Sequence, residues 1–189
     1  MNKTGLLIIL SGPSGVGKGT VLRNFINRPE LNLAYSISLT TRQPRSGELD
    51  GVNYHFVSEA YFQECIEKDE LLEYAIFVGN YYGTRKADVQ ALRQIGKNVI
   101  LEIEVQGALQ VKAKFPEALS IFIIPPDMAE LERRIRNRRS ESEEVILERL
   151  EKAKKEMELL DNYKYIVCND DPQMAADIIA VIIKRSMES

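Results

Sequence analysis

The run Gly5-Leu-Leu-Ile-Ile-Leu10-Ser-Gly12-Pro-Ser-Gly15-Val-Gly17-Lys18-Gly19-Thr20 joins a short apolar segment to a glycine-rich loop carrying a lysine. A continuous apolar run of that length, without polar alternation, suits a strand buried on both faces of a parallel sheet. The glycines permit positive φ and leave no side chain between backbone N–H groups and an anion, so the loop can wrap phosphate oxygens. Lys18 adds a mobile positive charge for β and γ phosphates, and a helix starting near it adds the positive end of its dipole. Placed between a buried strand and a helix, G-x-x-x-x-G-K is a specific signal. It predicts triphosphate binding by Gly12, Pro13, Ser14, Gly15, Val16, Gly17, Lys18, Gly19 and Thr20. The residue after the lysine is Gly19, so the hydroxyl usual at that position arrives one residue late, at Thr20. Magnesium ligation by the loop itself is therefore open, with nucleotide phosphates and water as the alternative holders.

Working outward, Val21, Leu22, Phe25 and Ile26 fall at helical spacing after the loop. The apolar runs Val99–Ile103, Ile121–Ile124 and Tyr165–Cys168 read as further buried strands. Helices are expected over Gln106–Lys114, Met128–Arg138, Ser142–Leu160 and Pro172–Arg185. The alternation predicts an α/β, doubly wound fold with a mainly parallel sheet flanked by helices. Between Ala34 and Arg85 the texture changes to alternating, aromatic-rich segments (YSIS, VNYHFV, LLEYAIFVGNYYG) around the turn-rich QPRSGELDG, which predicts a small, partly antiparallel insert.

Composition bounds the rest. The 189 residues, 44% of them apolar, suffice for one domain with a substantial core, and a net charge of -3 gives no general attraction to nucleic acid polymers or anionic membranes. Any anion site must be local. The apolar runs are far shorter than the roughly 20 residues that span a bilayer, and the N-terminus lacks a basic start and cleavage site, so the expectation is a cytoplasmic protein with no membrane partner. Cys65 and Cys168 are far apart, with no Cys or His at metal-ligand spacing, and read as reduced thiols.

The segment Thr40-Thr-Arg42-Gln-Pro-Arg45-Ser-Gly-Glu48-Leu-Asp-Gly51-Val-Asn-Tyr54-His-Phe56-Val57 gathers hydroxyls, two arginines and a tyrosine. Arg42 and Arg45 can grip a phosphate with planar donor forks, and Tyr54 can add a phenolic hydrogen bond; an exposed polar hairpin is the bland alternative. This T-T-R-x-x-R-x-x-E-x-x-G-x-x-Y-x-F-V pattern resembles the signature of guanylate kinases. With GPSGVGKGT, the later GNYYGT, an acidic strand followed by QGA, and IFIIPP, the resemblance runs in order through nearly the whole chain.

The resemblance implies a P-loop-type core (residues 1–34, 87–126 and 157–189), a GMP-binding insert (35–86) and a helical lid (127–156). It implies that Ser38, Arg42, Arg45, Tyr54 and Tyr82 hold the GMP phosphate and that Glu73, Thr84 and Glu104 read guanine. That set is chemically apt: guanine offers N–H donors at N1 and N2 beside an acceptor at O6, so carboxylates and a hydroxyl complement it, whereas adenine lacks the donor pair. The buried strand of Val99–Ile103 delivers the alternate carboxylates Glu102 and Glu104 toward its carboxyl end, where open α/β sheets bind ligands. Glu102 and Thr20 are the candidate holders of Mg2+, each directly or through water. Where the family often has Asp, both strand positions here are Glu.

Arg133, Arg134, Arg136, Arg138 and Arg139 crowd one stretch. Arg133 and Arg136 read as a solvated helix face. By resemblance, Arg134, Arg138 and Arg149 close over the transferring phosphates and act with Lys18 in catalysis. Arg139 stands where the family commonly has glycine. Asn169 resembles the family's adenine-side residue, or is a turn or helix cap before Pro172. His55 occupies a variable position and receives no catalytic role. The expected reaction is ATP-dependent phosphorylation of GMP, with dGMP a second acceptor, by a monomer or small homo-oligomer. A non-catalytic binding module of the same fold, or a kinase of another nucleotide or a phosphorylated sugar, are the alternatives. Such modules typically lose loop or acceptor-site residues that are present in this chain.

Overall fold

The computed structural model describes residues 3–77, 79–137 and 142–188. Strand β1, Leu7–Ser11, is buried at every position and occupies the middle of a five-stranded sheet. Its parallel neighbours are β7 (Asn98–Glu102) and β8 (Leu119–Ile124), with β2 (Leu33–Tyr35) and β9 (Tyr165–Cys168) outside them in the order β2-β7-β1-β8-β9. Alternation along β1 divides the core. Ile8 and Leu10 pack with the helices α1 (Lys18–Arg23), α5 (Met128–Arg136), α6 (Glu143–Met157) and α7 (Pro172–Glu188). Leu7 and Ile9 pack with α3 (Lys86–Gln94) and α4 (Val105–Lys114) on the opposite face. Each fully buried aliphatic side chain there stabilises the fold by about 1.5–3 kcal/mol relative to exposure. Placing the most apolar strand centrally puts the following loop outside the carboxyl end of the sheet, flanked by both neighbouring strands.

A second sheet has the order β4-β3-β6-β5, formed by β3 (Leu39–Thr40), β4 (His55–Phe56), β5 (Leu71–Phe77) and β6 (Asn80–Arg85). Its β5–β6 and β3–β6 pairs are antiparallel and its β3–β4 pair is parallel. Helix α2 (Glu59–Glu67) starts at Ser58, whose hydroxyl accepts the Tyr61 N–H, and covers this sheet with Phe62 and Cys65 against Leu39 and Leu71. The mainly parallel sheet and the smaller mixed sheet agree with the α/β reading of the sequence. Among the described residues no helix is long and apolar enough to cross a membrane.

Several local expectations shift. Helix α1 ends at Arg23, with Asn24 as its cap, so Phe25 and Ile26 lie in the turns that follow. Helix α6 stops at Met157, and Leu160 belongs to a separate short 3-10 turn, Leu160–Asn162. Tyr35 ends β2 and the Ser36 N–H donates to the Ile100 carbonyl, so the main sheet extends into the segment read as insert. Helices α2 and α3 are extra elements; their nine-residue lengths give too few turns for a clear apolar period.

Candidate active site

Two clefts lie side by side at the carboxyl end of the main sheet. One, of about 250 Å³, is walled by the small sheet and by the end of β7. The other, of about 400 Å³, is walled by the glycine loop. Phe77, Glu102, Ile103 and Glu104 line both, so the clefts share a wall.

The loop is built around Gly17, which caps α1 at φ 97°; a Cβ there would stand 2.7 Å from Asn169 Nδ2. Glycine is thus required twice, by conformation and by the close approach. Lys18 opens α1 and folds back, its ammonium donating to the Gly12 carbonyl at 2.6 Å and to that of Pro13 at 3.3 Å. Burial lowers the Lys18 pKa, while the carboxylates of Glu102, Glu156 and Glu104 oppose that shift. Burial likewise raises the Glu102 carboxyl against the pull of Lys18 and Arg23. Asn169 is buried and donates through Nδ2 to the Val16 carbonyl at 2.7 Å. The cap of α7 is instead Asp171, which accepts the Met174 N–H, so Asn169 serves as a strut for the loop.

Two arginines reach the loop from outside it. Arg134 donates to the Val16 carbonyl at 3.1 Å and to the Asn169 carbonyl at 3.0 Å, and Glu130 fixes its guanidinium at 2.7 Å. Arg149, on α6, donates to the Ser14 hydroxyl at 2.9 Å. Arg133 pairs with Glu130, and Arg136 pairs with Glu132 and Glu143, away from the loop. Arg138 and Arg139 lie outside the described residues.

Of the two candidate metal holders, Thr20 turns its hydroxyl to accept from Arg23 at 3.1 Å, which places a cation beside it. Glu102 faces the space over Gly19, whose absent Cβ would be 3.5 Å from Glu102 Oε1. No group of three or more acidic, His or Cys side chains that could hold a metal occurs among the described residues. Three carboxylates, Glu102, Glu104 and Glu156, line the loop cleft.

The smaller cleft has a cationic end and a carboxylate end. At the cationic end, Ser38, Arg42, Arg45, Tyr54 and Tyr82 all line the wall. Arg42 is aimed by Glu48, which takes two guanidinium donors at 2.9 and 3.0 Å and also accepts the Arg45 N–H at 2.7 Å. The pairing holds the Glu48 carboxyl below its ordinary range. The Arg42 guanidinium also lies 5.5 Å from the Tyr54 ring centre, and Tyr54 meets Tyr82 edge to face.

At the other end Glu73 is buried, and Thr84 Oγ1 donates to it at 2.6 Å across the β5–β6 pair. Burial pushes the Glu73 carboxyl up to about 7, against the Thr84 hydrogen bond, with Glu104 adding to the rise. Its seat depends on Gly107 in α4, where a Cβ would stand 2.4 Å from Glu73 Oε2. Glu104 caps the start of α4 and accepts from Lys152 at 2.8 Å.

The structure thus gathers Ser38, Arg42, Arg45, Tyr54, Glu73, Tyr82 and Glu104 on one cleft, and Thr84 joins them through Glu73. It adds residues that sequence reading assigned no role. Glu48 and Gly107 both stand within quoted motifs, so their spacing was a usable signal. Phe77, Lys152 and Glu156 carry no local signal, because an aromatic in a strand and a Lys/Glu-rich helix are commonplace.

Known proteins resemble this chain over most of its length. The family profile described as guanylate kinase matches residues 4–186. A guanylate kinase of Halalkalibacterium halodurans is 53% identical over 179 residues, covering 95% of this chain and 87% of its own. One from Desulfitobacterium hafniense is 52% identical, covering 95% and 89%. The crystal structure of guanylate kinase from Anaplasma phagocytophilum superposes with a TM-score of 0.77 at 31% identity, covering 97% of this chain and 87% of its own.

Proposed function

The chain belongs to the guanylate kinase family, and from that premise we propose how its two clefts divide the work of phosphorylating GMP with ATP. The chain is an ATP:GMP phosphotransferase, and its relatives at about half identity do not favour a non-catalytic module. The smaller cleft takes GMP, and dGMP equally fits it because every base and phosphate contact proposed here is independent of the ribose 2′-hydroxyl. The observation that carries this is the buried Glu73–Thr84 pair opposite the arginine and tyrosine cluster. Glu73 and Glu104 accept guanine N–H groups, Thr84 reads the base through Glu73, to which its one hydroxyl proton is given, and Ser38, Arg42, Arg45, Tyr54 and Tyr82 hold the phosphate.

The loop Gly12–Thr20 holds ATP, with backbone N–H groups around the phosphates and Lys18 reaching the β and γ oxygens. Asn169 supports the adenine side through its bond to the loop. A GMP phosphate oxygen attacks the γ phosphorus as the bond to the bridging oxygen breaks, yielding GDP and ADP. That oxygen is already anionic, so no side chain need act as base. Arg134, Arg138 and Arg149 neutralise the oxygens of the group in transit. Magnesium bound with ATP supplies further neutralisation, and Glu102 would orient it through water, with Thr20 the weaker candidate. In this reading residues 35–86 form the GMP-binding unit and residues 127–156 the lid, whose closure excludes water as a competing acceptor. The protein acts in the cytoplasm.

Titration calorimetry with GMP and no ATP tests the acceptor cleft. One equivalent of GMP binds the native protein and AMP does not. Gly107→Ala weakens GMP by about tenfold or more, as one displaced charged hydrogen bond implies. The fold survives, since alanine is favoured over glycine in a helix by about 1 kcal/mol. Unchanged GMP affinity in Gly107→Ala, or equal binding of AMP, would remove the proposed base site.

A further inference from the structure

Lys152 stands between the two clefts, on the face of α6 that also carries Arg149 and Glu156 at helical spacing. Its ammonium donates to Glu104 Oε2 at 2.8 Å and lies 3.9 Å from Glu156 Oε1. It also sits 5.0 Å from the centre of the Phe77 ring. Glu104 and Phe77 line both clefts, and Glu156 lines the loop cleft. Glu156 is buried and lines the loop cleft together with Ser14. Its Oε2 has no hydrogen-bond partner among the described residues. One ammonium thus joins a carboxylate of the smaller cleft to a carboxylate that lines the loop cleft.

We propose that Lys152 is a positioning residue that couples the GMP cleft to the ATP loop. A carboxylate has two oxygens. With Oε2 of Glu104 bound to Lys152, the other oxygen is left for an N–H donor of the base, in a fixed orientation. The same ammonium lies between Glu104 and Glu156, whose charges would otherwise oppose each other across a partly buried wall. Guanine drawing on Glu104 therefore acts on α6 through Lys152. Helix α6 delivers Arg149 to the Ser14 hydroxyl and Glu156 to the wall of the loop cleft, so the occupied base site sets the position of the loop. Linkage makes the effect reciprocal: a bound donor nucleotide favours GMP by the factor by which GMP favours the donor. Sequence gives no hint of this role, because Lys152 lies in a Glu/Lys-rich helix whose other lysine-glutamate pair, Lys155 with Glu151, is exposed.

The coupling rests on Glu104 being a base-reading residue of the GMP cleft. The test measures the dissociation constant of a non-hydrolysable ATP analogue with magnesium, by calorimetry, with and without saturating GMP. Native protein is expected to show a GMP-dependent tightening of about 5-fold or more, within the usual span of coupling between sites. In Lys152→Gln, and in Lys152→Met, which keeps the aliphatic stem over Phe77, the ratio falls to about one, while each ligand alone binds within about tenfold of native. A native-like ratio in either folded variant overturns the proposal, as does the absence of coupling in the native protein. Glu104→Gln separates the two claims. If it leaves GMP affinity unchanged, the base-reading role fails; if it weakens GMP while Lys152→Gln keeps the native ratio, only the coupling fails.

Discussion

Lys18→Ala lowers kcat for GDP formation by about a thousandfold or more, the scale for losing one preorganised donor to the charge of a transition state. The side chain is half-buried, and its ammonium is held by two carbonyls of its own loop, within 2.6 Å of Gly12 and 3.3 Å of Pro13. Those weak neutral acceptors hold the group where it can be exchanged onto phosphate oxygens as they arrive. Glu102, Glu156 and Glu104 all support its charged form against the cost of burial. Among the described residues no other lysine lines the loop cleft, and Arg134 and Arg149 reach the loop from α5 and α6. The core around β1 does not depend on Lys18, so circular dichroism and thermal melting should report a native fold. Steady-state ADP release with ATP and GMP measures the effect; near-native turnover would show that the loop does not carry the chemistry.

The second large effect concerns the base. Glu73→Gln raises the KM for GMP by roughly 10- to 100-fold, the worth of hydrogen bonds to a buried charge, and leaves the KM for ATP within about twofold. Glutamine keeps the shape and the bond to Thr84 but replaces one acceptor with an amide donor that faces the guanine N–H groups. The pH dependence has a definite sign. Burial holds the Glu73 carboxyl at about 7, above its ordinary 4.5, so the folded protein favours the neutral form. The resulting advantage to the fold is fully present below about pH 4.5 and is lost as pH rises through about 7. In ligand-free protein, Glu73→Gln should therefore raise the melting temperature at pH 8 and have little effect near pH 4.5. GMP binding needs the carboxylate, so affinity rises between pH 6 and 8 with release of a proton. The variant should keep only the part of that dependence arising from the second phosphate ionisation of GMP, near about pH 6. Equal losses for GMP and ATP, or an unchanged pH profile, would reject the role of Glu73 as base reader.

Much of this architecture is legible in the chain because its elements are locally decided. The run Leu7–Leu10 is apolar at every position, which leaves only a fully buried strand, and the glycines beside Lys18 leave only a loop that approaches an anion closely. The arginine-tyrosine segment is legible for the same reason: its residue types and spacing occur together. What sequence leaves out is set by tertiary contact. Arg134 and Arg136 sit two positions apart on one helix, yet one reaches Val16 and Asn169 while the other pairs with Glu132 and Glu143; only the packing of α5 against the loop separates them. The choice of Thr20 or Glu102 as metal holder likewise turns on Arg23, which takes the threonine hydroxyl from the following turn of α1. Glu48 was visible as part of a motif, but its two bonds to Arg42 depend on how the turn between them folds.

Initial rates of ADP release with ATP and magnesium, offered GMP, dGMP, AMP, CMP and UMP in turn, bear most directly on two adjoining clefts that read guanine on one side and deliver phosphate from the other. GMP and dGMP should be turned over at least a hundredfold more efficiently in kcat/KM than the other three acceptors, as a site built to pair guanine N–H donors demands. Comparable rates for AMP or the pyrimidine nucleotides would contradict a guanine-reading cleft built on Glu73, Thr84 and Glu104.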